Sequence, residues 1–287
     1  MDILKSVILG IIQGLTEFLP VSSSGHLELA KSLLGVKLED NLTFNLVVHL
    51  ATVLSTIIVF RKDITNLFIG LFKFEMNTET KMVINILVSL IPLVPVYFLF
   101  NDRLDEFLDR SVTPEHQIVM FVGICLLITA LILFVSTRMK KTDNDASASI
   151  DTTKKIDNDV TLFKAFIIGI AQALAVLPGV SRSGSTIATG LILKVDKAKV
   201  TRFSFLMVIP AILGAMLLDV IELSTSPSGV AHMDTIPLIA GFIGALISGI
   251  FACRWMVKLV QKGSLIYFAI YCLAIGLIAI IASFVMQ

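Results

Sequence analysis

Six apolar runs long enough to cross a bilayer, at 43–60, 83–100, 117–136, 203–221, 236–253 and 265–286, leave this chain few folds to choose from. A hydrocarbon core roughly 30 Å thick takes about 20 residues of α-helix. Lipid offers no partner to an open backbone N–H or C=O, so each run is expected to be helical. Composition agrees, with 56% of 287 residues hydrophobic and 16% charged, far from a soluble domain. The expected fold class is therefore an all-α integral membrane protein. The first apolar stretch carries Gln13 and Glu17 and runs into Pro20 and a serine cluster. It lacks a small-residue cleavage site and is read as part of the mature chain, not as a signal peptide. Cys125, Cys253 and Cys272 lie inside apolar runs and read as small buried hydrophobes. A net charge of +1 favours no nucleic acid and no acidic partner.

The basic residues are unevenly placed. With the two serine-bearing segments entering and leaving on one side, only the six runs cross and each loop has a fixed side. The face holding 61–81, 137–164, 194–202 and 254–262 then collects 17 Lys/Arg, against 5 (Lys5, Lys31, Lys37, Arg103 and Arg110) on the other. The richer face is assigned to the cytoplasm, which predicts both termini outside. The stretch 137–160 is polar without an apolar periodicity and is expected to be a flexible cytoplasmic linker.

Shifting the sequence by 159 positions aligns Ile3 to Gly25 with Leu162 to Gly184 without a gap, and ten of the 23 pairs are identical, the mark of an internal repeat. Two repeats are predicted: 1–136 (short segment 3–36 and the first three spans) and 161–287 (short segment 162–193 and the last three). Between equivalent points the chain crosses an odd number of times, so the repeats are inverted, an arrangement that commonly sets broken helices around a shared midplane site. Each short segment is an apolar helix that stops at Pro20 or Pro178, enters a Ser/Gly turn and resumes. It is read as a re-entrant helix-turn-helix hairpin, with protein or a water-filled cavity satisfying its turn. Gly10 and Gly14, and their counterparts Gly169 and Ala173, have the spacing that lets helix backbones approach closely.

Gln13 and Glu17, four apart, share one helical face just before the stretch 19–26, Leu-Pro-Val-Ser-Ser-Ser-Gly-His. An ionisable group at membrane depth is a functional candidate by default. Ser22, Ser23, Ser24 and Gly25 can turn donors toward anionic oxygen. The second turn offers Ser181, Ser183, Gly184 and Thr186, with Arg182 at the position of Ser23, and a guanidinium can clamp a phosphate with two parallel bonds. Glu17, Ser23, His26 and Arg182 thus supply a metal-binding or basic group, a nucleophile, an acid/base and a charge clamp, the parts for phosphoryl transfer. Outside this set, His49 reads at least as well as a hydrogen-bonded packing residue. His116 and His232 read as solvated loop residues, and Asp219 and Glu222 as the water boundary of a span.

At these residues the chain resembles the undecaprenyl pyrophosphate phosphatases, also called bacitracin-resistance proteins. Residues 13–26 are similar to the family's first signature, a Glu/Gln-x-x-x-Glu pair leading into a serine-rich loop, and residues 178–184 to its second. Length, span count and residues 202–206 extend the likeness over essentially the whole chain. The resemblance implies hydrolysis of a polyprenyl diphosphate to the monophosphate and inorganic phosphate, recycling the lipid carrier of cell-wall polymers in the bacterial cytoplasmic membrane. It also implies a divalent cation, Mg²⁺ or Ca²⁺, at Glu17 and Gln13. By the same likeness Glu17 is an essential carboxylate, Ser23 and His26 compete as nucleophile, and Arg182 holds the diphosphate. Gln13 departs from the acidic form of its position: an amide oxygen can coordinate a metal but is no base. His26 is expected to deprotonate Ser23 or water, and a homodimer is left open. The rival class is a secondary transporter or lipid-phosphate translocase on the same inverted repeat.

Overall fold

The computed structural model describes residues 2–36, 41–109, 112–146, 159–225, 234–262 and 265–286, and every regular element among them is helical. A hairpin of α1 (Ile3–Phe18) and α2 (Ser23–Leu34) is followed by α3 (Asn41–Val59) and α4 (Arg61–Leu71). Next come α5 (Thr78–Leu90) and α6 (Leu93–Leu108), then α7 (Glu115–Ala146). A second hairpin, α8 (Leu162–Leu174) and α9 (Arg182–Ile192), precedes α10 (Lys197–Thr225), α11 (Thr235–Lys262) and α12 (Ile266–Val285). Five stretches are long and apolar enough to cross a membrane, and α3 with α4 make a sixth if the bent pair counts as one. The chain is thus an all-helical, multi-pass membrane protein.

Several boundaries differ from those read in the sequence. The loop expected after residue 60 is instead α4, turned by 75° from α3. Arg61, Lys62 and Asp63 stand at the bend. Leu67 and Gly70 pack inward while Phe68 and Ile69 are exposed, a two-faced pattern suited to an interface. Helix α10 begins at Lys197, six residues before the apolar run, because the Asp196 carboxylate accepts from the amides of Ala198 and Lys199 at 3.0 and 3.1 Å, as a helix cap does. Helix α7 runs to Ala146, so the first part of the expected linker is helical, and His116 lies in its first turn, not in a loop. Residues 147–158, His232, Lys37 and Arg110 lie outside the described residues, as does the side chain of Glu222. Asp219 accepts a hydrogen bond from the Tyr97 hydroxyl at 3.2 Å.

Small residues decide which helices meet. A Cβ on Gly10 would fall 2.2 Å from the carbonyl oxygen of Gly241, and one on Gly14 2.4 Å from that of Ala245, so α1 lies with its backbone directly against α11. A Cβ on Gly169 would fall 2.3 Å from the Ser89 carbonyl oxygen, and α8 lies likewise against α5. Each hairpin therefore leans on a helix from the other half of the chain. Phe18, at the foot of the first hairpin, is buried against Phe205, whose ring also meets Phe60. The three cysteines are buried and free, as expected.

Candidate active site

Each turn is built by local rules. Leu19 precedes Pro20 and is extended (φ −74°, ψ 143°), as steric clash with the proline ring requires, and α1 stops one residue earlier. Ser22 caps α2 by accepting from the Gly25 amide at 3.3 Å, and Ser181 caps α9 by accepting from the Gly184 amide at 3.0 Å. Two helix N-termini, each a site of partial positive charge, thereby begin at the turns. The turns touch: a Cβ on Gly25 would lie 2.8 Å from the Gly179 Cα, and one on Gly184 3.4 Å from the Pro20 Cβ. The Ser183 hydroxyl donates to the Leu19 carbonyl across the contact at 3.1 Å.

Glu17 lies at the centre. Its side chain is 4% exposed, and its Oε2 accepts from the Ser23 hydroxyl at 2.6 Å and from Gln13 Nε2 at 2.9 Å. Its Oε1 is 3.8 Å from Nη2 of Arg182, on the opposite hairpin. His49 of α3 has its Nδ1 bonded to the Asn45 carbonyl at 2.7 Å. Ser23, Ser24, His26 and Arg182 are partly accessible. Ser22, Ser181, Ser183, Gly184 and Thr186 are buried. Thr186 bonds Ser204 and the carbonyls of Arg182 and Ser183, so its hydroxyl is engaged inside the fold.

The geometry redirects one expectation. Ser23 is bonded to Glu17 and not to His26, whose Nδ1 meets the Ser22 carbonyl at 2.8 Å and whose Nε2 meets the Tyr271 hydroxyl at 2.9 Å. Glu17 is thus the carboxylate in contact with Ser23. Ser22 has φ 71°, a left-handed conformation rarely adopted by a residue other than glycine and costing of order 1–3 kcal/mol. It aims the Ser22 carbonyl at His26. Tyr271 carried no signal in the sequence, since it sits 245 positions from His26 in an ordinary apolar helix.

A divalent cation can be tested against these residues. Gln13 Oε1 is buried without a hydrogen-bond partner, one residue-turn from the Glu17 carboxylate, and an orphaned carbonyl-type oxygen beside a carboxylate suits a hard cation. Among the described residues no three His, Cys, Asp or Glu side chains form a metal-binding group. The set therefore fits an ion shared with a phosphate ligand, as Mg²⁺ often is, and not an all-protein cage.

A model of the family described as bacitracin resistance protein BacA matches residues 6–278. A Bacteroides fragilis protein named undecaprenyl-diphosphatase is 48% identical over 283 residues, 99% of each chain. A Bacteroides thetaiotaomicron protein of the same name is 48% identical over 281 residues, 98% of this chain and 99% of its own. One from Methanosphaera stadtmanae, again so named, is 37% identical over the full length of both. Since these matches run from the first hairpin into the last helix and take in both turns that meet at Glu17 and Arg182, the chain belongs to the BacA family of bacitracin resistance proteins.

Proposed function

We propose that this protein is an undecaprenyl-diphosphatase, which hydrolyses undecaprenyl diphosphate to undecaprenyl phosphate and inorganic phosphate. The observation that carries the site assignment is one carboxylate with two engagements. Glu17 holds the Ser23 hydroxyl at 2.6 Å through one oxygen and faces Arg182 at 3.8 Å through the other, so nucleophile, base and anion clamp share one point. Ser23 Oγ attacks the terminal phosphorus, its proton passes to Glu17, and the bond from that phosphorus to the bridging oxygen breaks as the lipid monophosphate leaves. Water then cleaves the phosphoserine, its proton passing to His26 Nε2 through the Tyr271 hydroxyl bonded to that nitrogen, while Glu17 returns its proton to the Ser23 oxygen and phosphate is released. Arg182 and the N-termini of α2 and α9 stabilise charge on the non-bridging oxygens, the kind of preorganised electrostatics on which phosphoryl transfer depends. Glu17 and Gln13 would hold Mg²⁺ or Ca²⁺, which supplies charge neutralisation to the diphosphate when bound.

The hairpins are read as re-entrant and the halves as inverted repeats. In support, Gly25 meets Gly179 while Gly184 meets Pro20, and both pairs map onto each other at the 159-residue offset. A side chain from a distant helix also serves each turn: Thr129 of α7 donates to the Gly179 carbonyl at 3.0 Å, and Cys272 of α12 to that of Pro20 at 3.7 Å. The asymmetry of Lys and Arg supports a reading with both termini on the outer side of the cytoplasmic membrane and the prenyl tail among the spans. Cysteine labelling from outside should reach residue 105 and spare 140.

The deciding assay is phosphate release from a long-chain prenyl diphosphate by the purified protein with Mg²⁺ or Ca²⁺. Release is expected in wild type, slowed by chelation, and strongly reduced in Glu17→Gln and Arg182→Ala. Wild type that binds the lipid and releases nothing would leave a translocase as the better reading. Labelled phosphate trapped on the wild type and absent from Ser23→Ala is expected for the covalent route; direct water attack leaves no trapped label.

A further inference from the structure

We infer that Tyr271 is a positioning residue for His26, holding the imidazole with its base nitrogen, Nε2, capped by the phenol; this rests on the phosphatase reading above for its consequence in catalysis, though not for its geometry. A backbone carbonyl can only accept, so the 2.8 Å contact between His26 Nδ1 and the Ser22 oxygen requires the proton on Nδ1. In the neutral ring the lone pair is then on Nε2, and the Tyr271 hydroxyl, 2.9 Å away, is the donor. The two rings are also stacked, with centroids 5.5 Å apart and planes 9° from parallel. The bond at Nδ1 fixes the tautomer, as the second partner of a catalytic histidine does, and the phenol and the stack hold the ring in one plane.

The placement of Tyr271 is secured by its neighbour. Cys272 is fully buried and donates to the Pro20 carbonyl of the turn, which brings α12 alongside the hairpin and leaves Tyr271, 42% exposed, at the rim of the site. Nothing comparable serves the other turn. There Cys125 of α7 packs against Gly179, the residue before it is Ile124, and Ser185 stands where His26 does in the first hairpin. The His–Tyr pair thus occurs only on the side that carries Glu17 and Ser23.

Tyr271→Phe keeps the stacked ring and removes only the hydroxyl. In the full-length detergent-solubilised protein, carbethoxylation of His26 by diethylpyrocarbonate, followed on its peptide by mass spectrometry, reads the availability of Nε2 without reference to activity. The expected result is modification about fivefold faster in Tyr271→Phe, the factor an ordinary hydrogen bond represents. In phosphate release the same variant is expected to lose about fivefold to tenfold in kcat with KM within twofold, and Tyr271→Ala, which also loses the stack, to lose more. An unchanged modification rate, or wild-type kcat in Tyr271→Phe, would overturn the assignment. If the wild type releases no phosphate but Tyr271→Phe still speeds modification, the phosphatase reading fails and the positioning of His26 stands.

Discussion

The two turns begin from nearly the same residues and finish with different chemistry. Both have a capping serine bonded to the glycine three residues on, and both have a second hydroxyl 3.4 Å from the first, Ser24 in one and Ser183 in the other. They part where charge is placed. The first hairpin has Glu17 where the second has Val176, and Ser23 where the second has Arg182. Backbone strain also moves: positive φ falls on Ser22 in the first turn and on Gly179 in the second. Gln13 donates to Glu17, whereas its counterpart Gln172, equally buried, has neither side-chain polar atom partnered. Two turns of like construction thus differ in charge, the first hairpin holding a carboxylate and the second the guanidinium that faces it. In the function proposed above, the likeness of the turns serves their contact and their difference serves the reaction.

The comparison is broken most severely at Glu17. Glu17→Gln leaves Ser23 without a base in contact and Arg182 without its partner, and phosphate release is expected to fall about 10³-fold, within the range that removing a positioned base produces. Next comes Arg182→Lys, which retains charge but loses the planar fork. A drop of roughly 10- to 100-fold in kcat/KM is expected, and an equal rate for Lys and Arg would show that charge alone suffices. The contact between the turns is tested by alanine at its two glycines. Gly25→Ala drives a Cβ to within 2.8 Å of the Gly179 backbone, whereas Gly184→Ala meets Ser181 at 3.0 Å and Pro20 at 3.4 Å. Thermal unfolding in detergent should report a loss of about 1–3 kcal/mol for the first, as overpacking typically gives, and a smaller loss for the second. The smallest effect separates the glutamines. Gln13→Leu should lower kcat about tenfold by removing a hydrogen bond to a charged group. Gln172→Leu, which removes an amide with no partner, should leave activity unchanged and stability equal or higher by about 1 kcal/mol.

Much of this was legible in residue order because the rules involved are short-range. Apolar run length marked the spans, Pro20 marked the end of α1 while α8 stops at Leu174, four residues before Pro178, and Ser22 and Ser181 stood where caps belong. The 159-residue offset pairs Gly25 with Gly184, and each donates its amide to the serine three residues before it. Where capping or interfacial charge competed with hydropathy, the reading failed. Asp196 started α10 early, the charged residues 61–63 bent the chain into α4, and α7 ran on through polar residues to Ala146.

What the order of residues determined by itself was the solvent, the helical class and the identity of the polar residues held at depth, since hydropathy and capping act over a turn or two of helix. Only the tertiary structure decided their pairing: that Ser23 turns to Glu17 and not to His26, that His26 turns to Tyr271, and that Arg182 closes on a carboxylate 165 positions away. Those choices depend on the close backbone contacts of α1 with α11 and α8 with α5 and on the strained carbonyl of Ser22. Packing between distant segments sets such distances to a fraction of an ångström, and no local pattern encodes them.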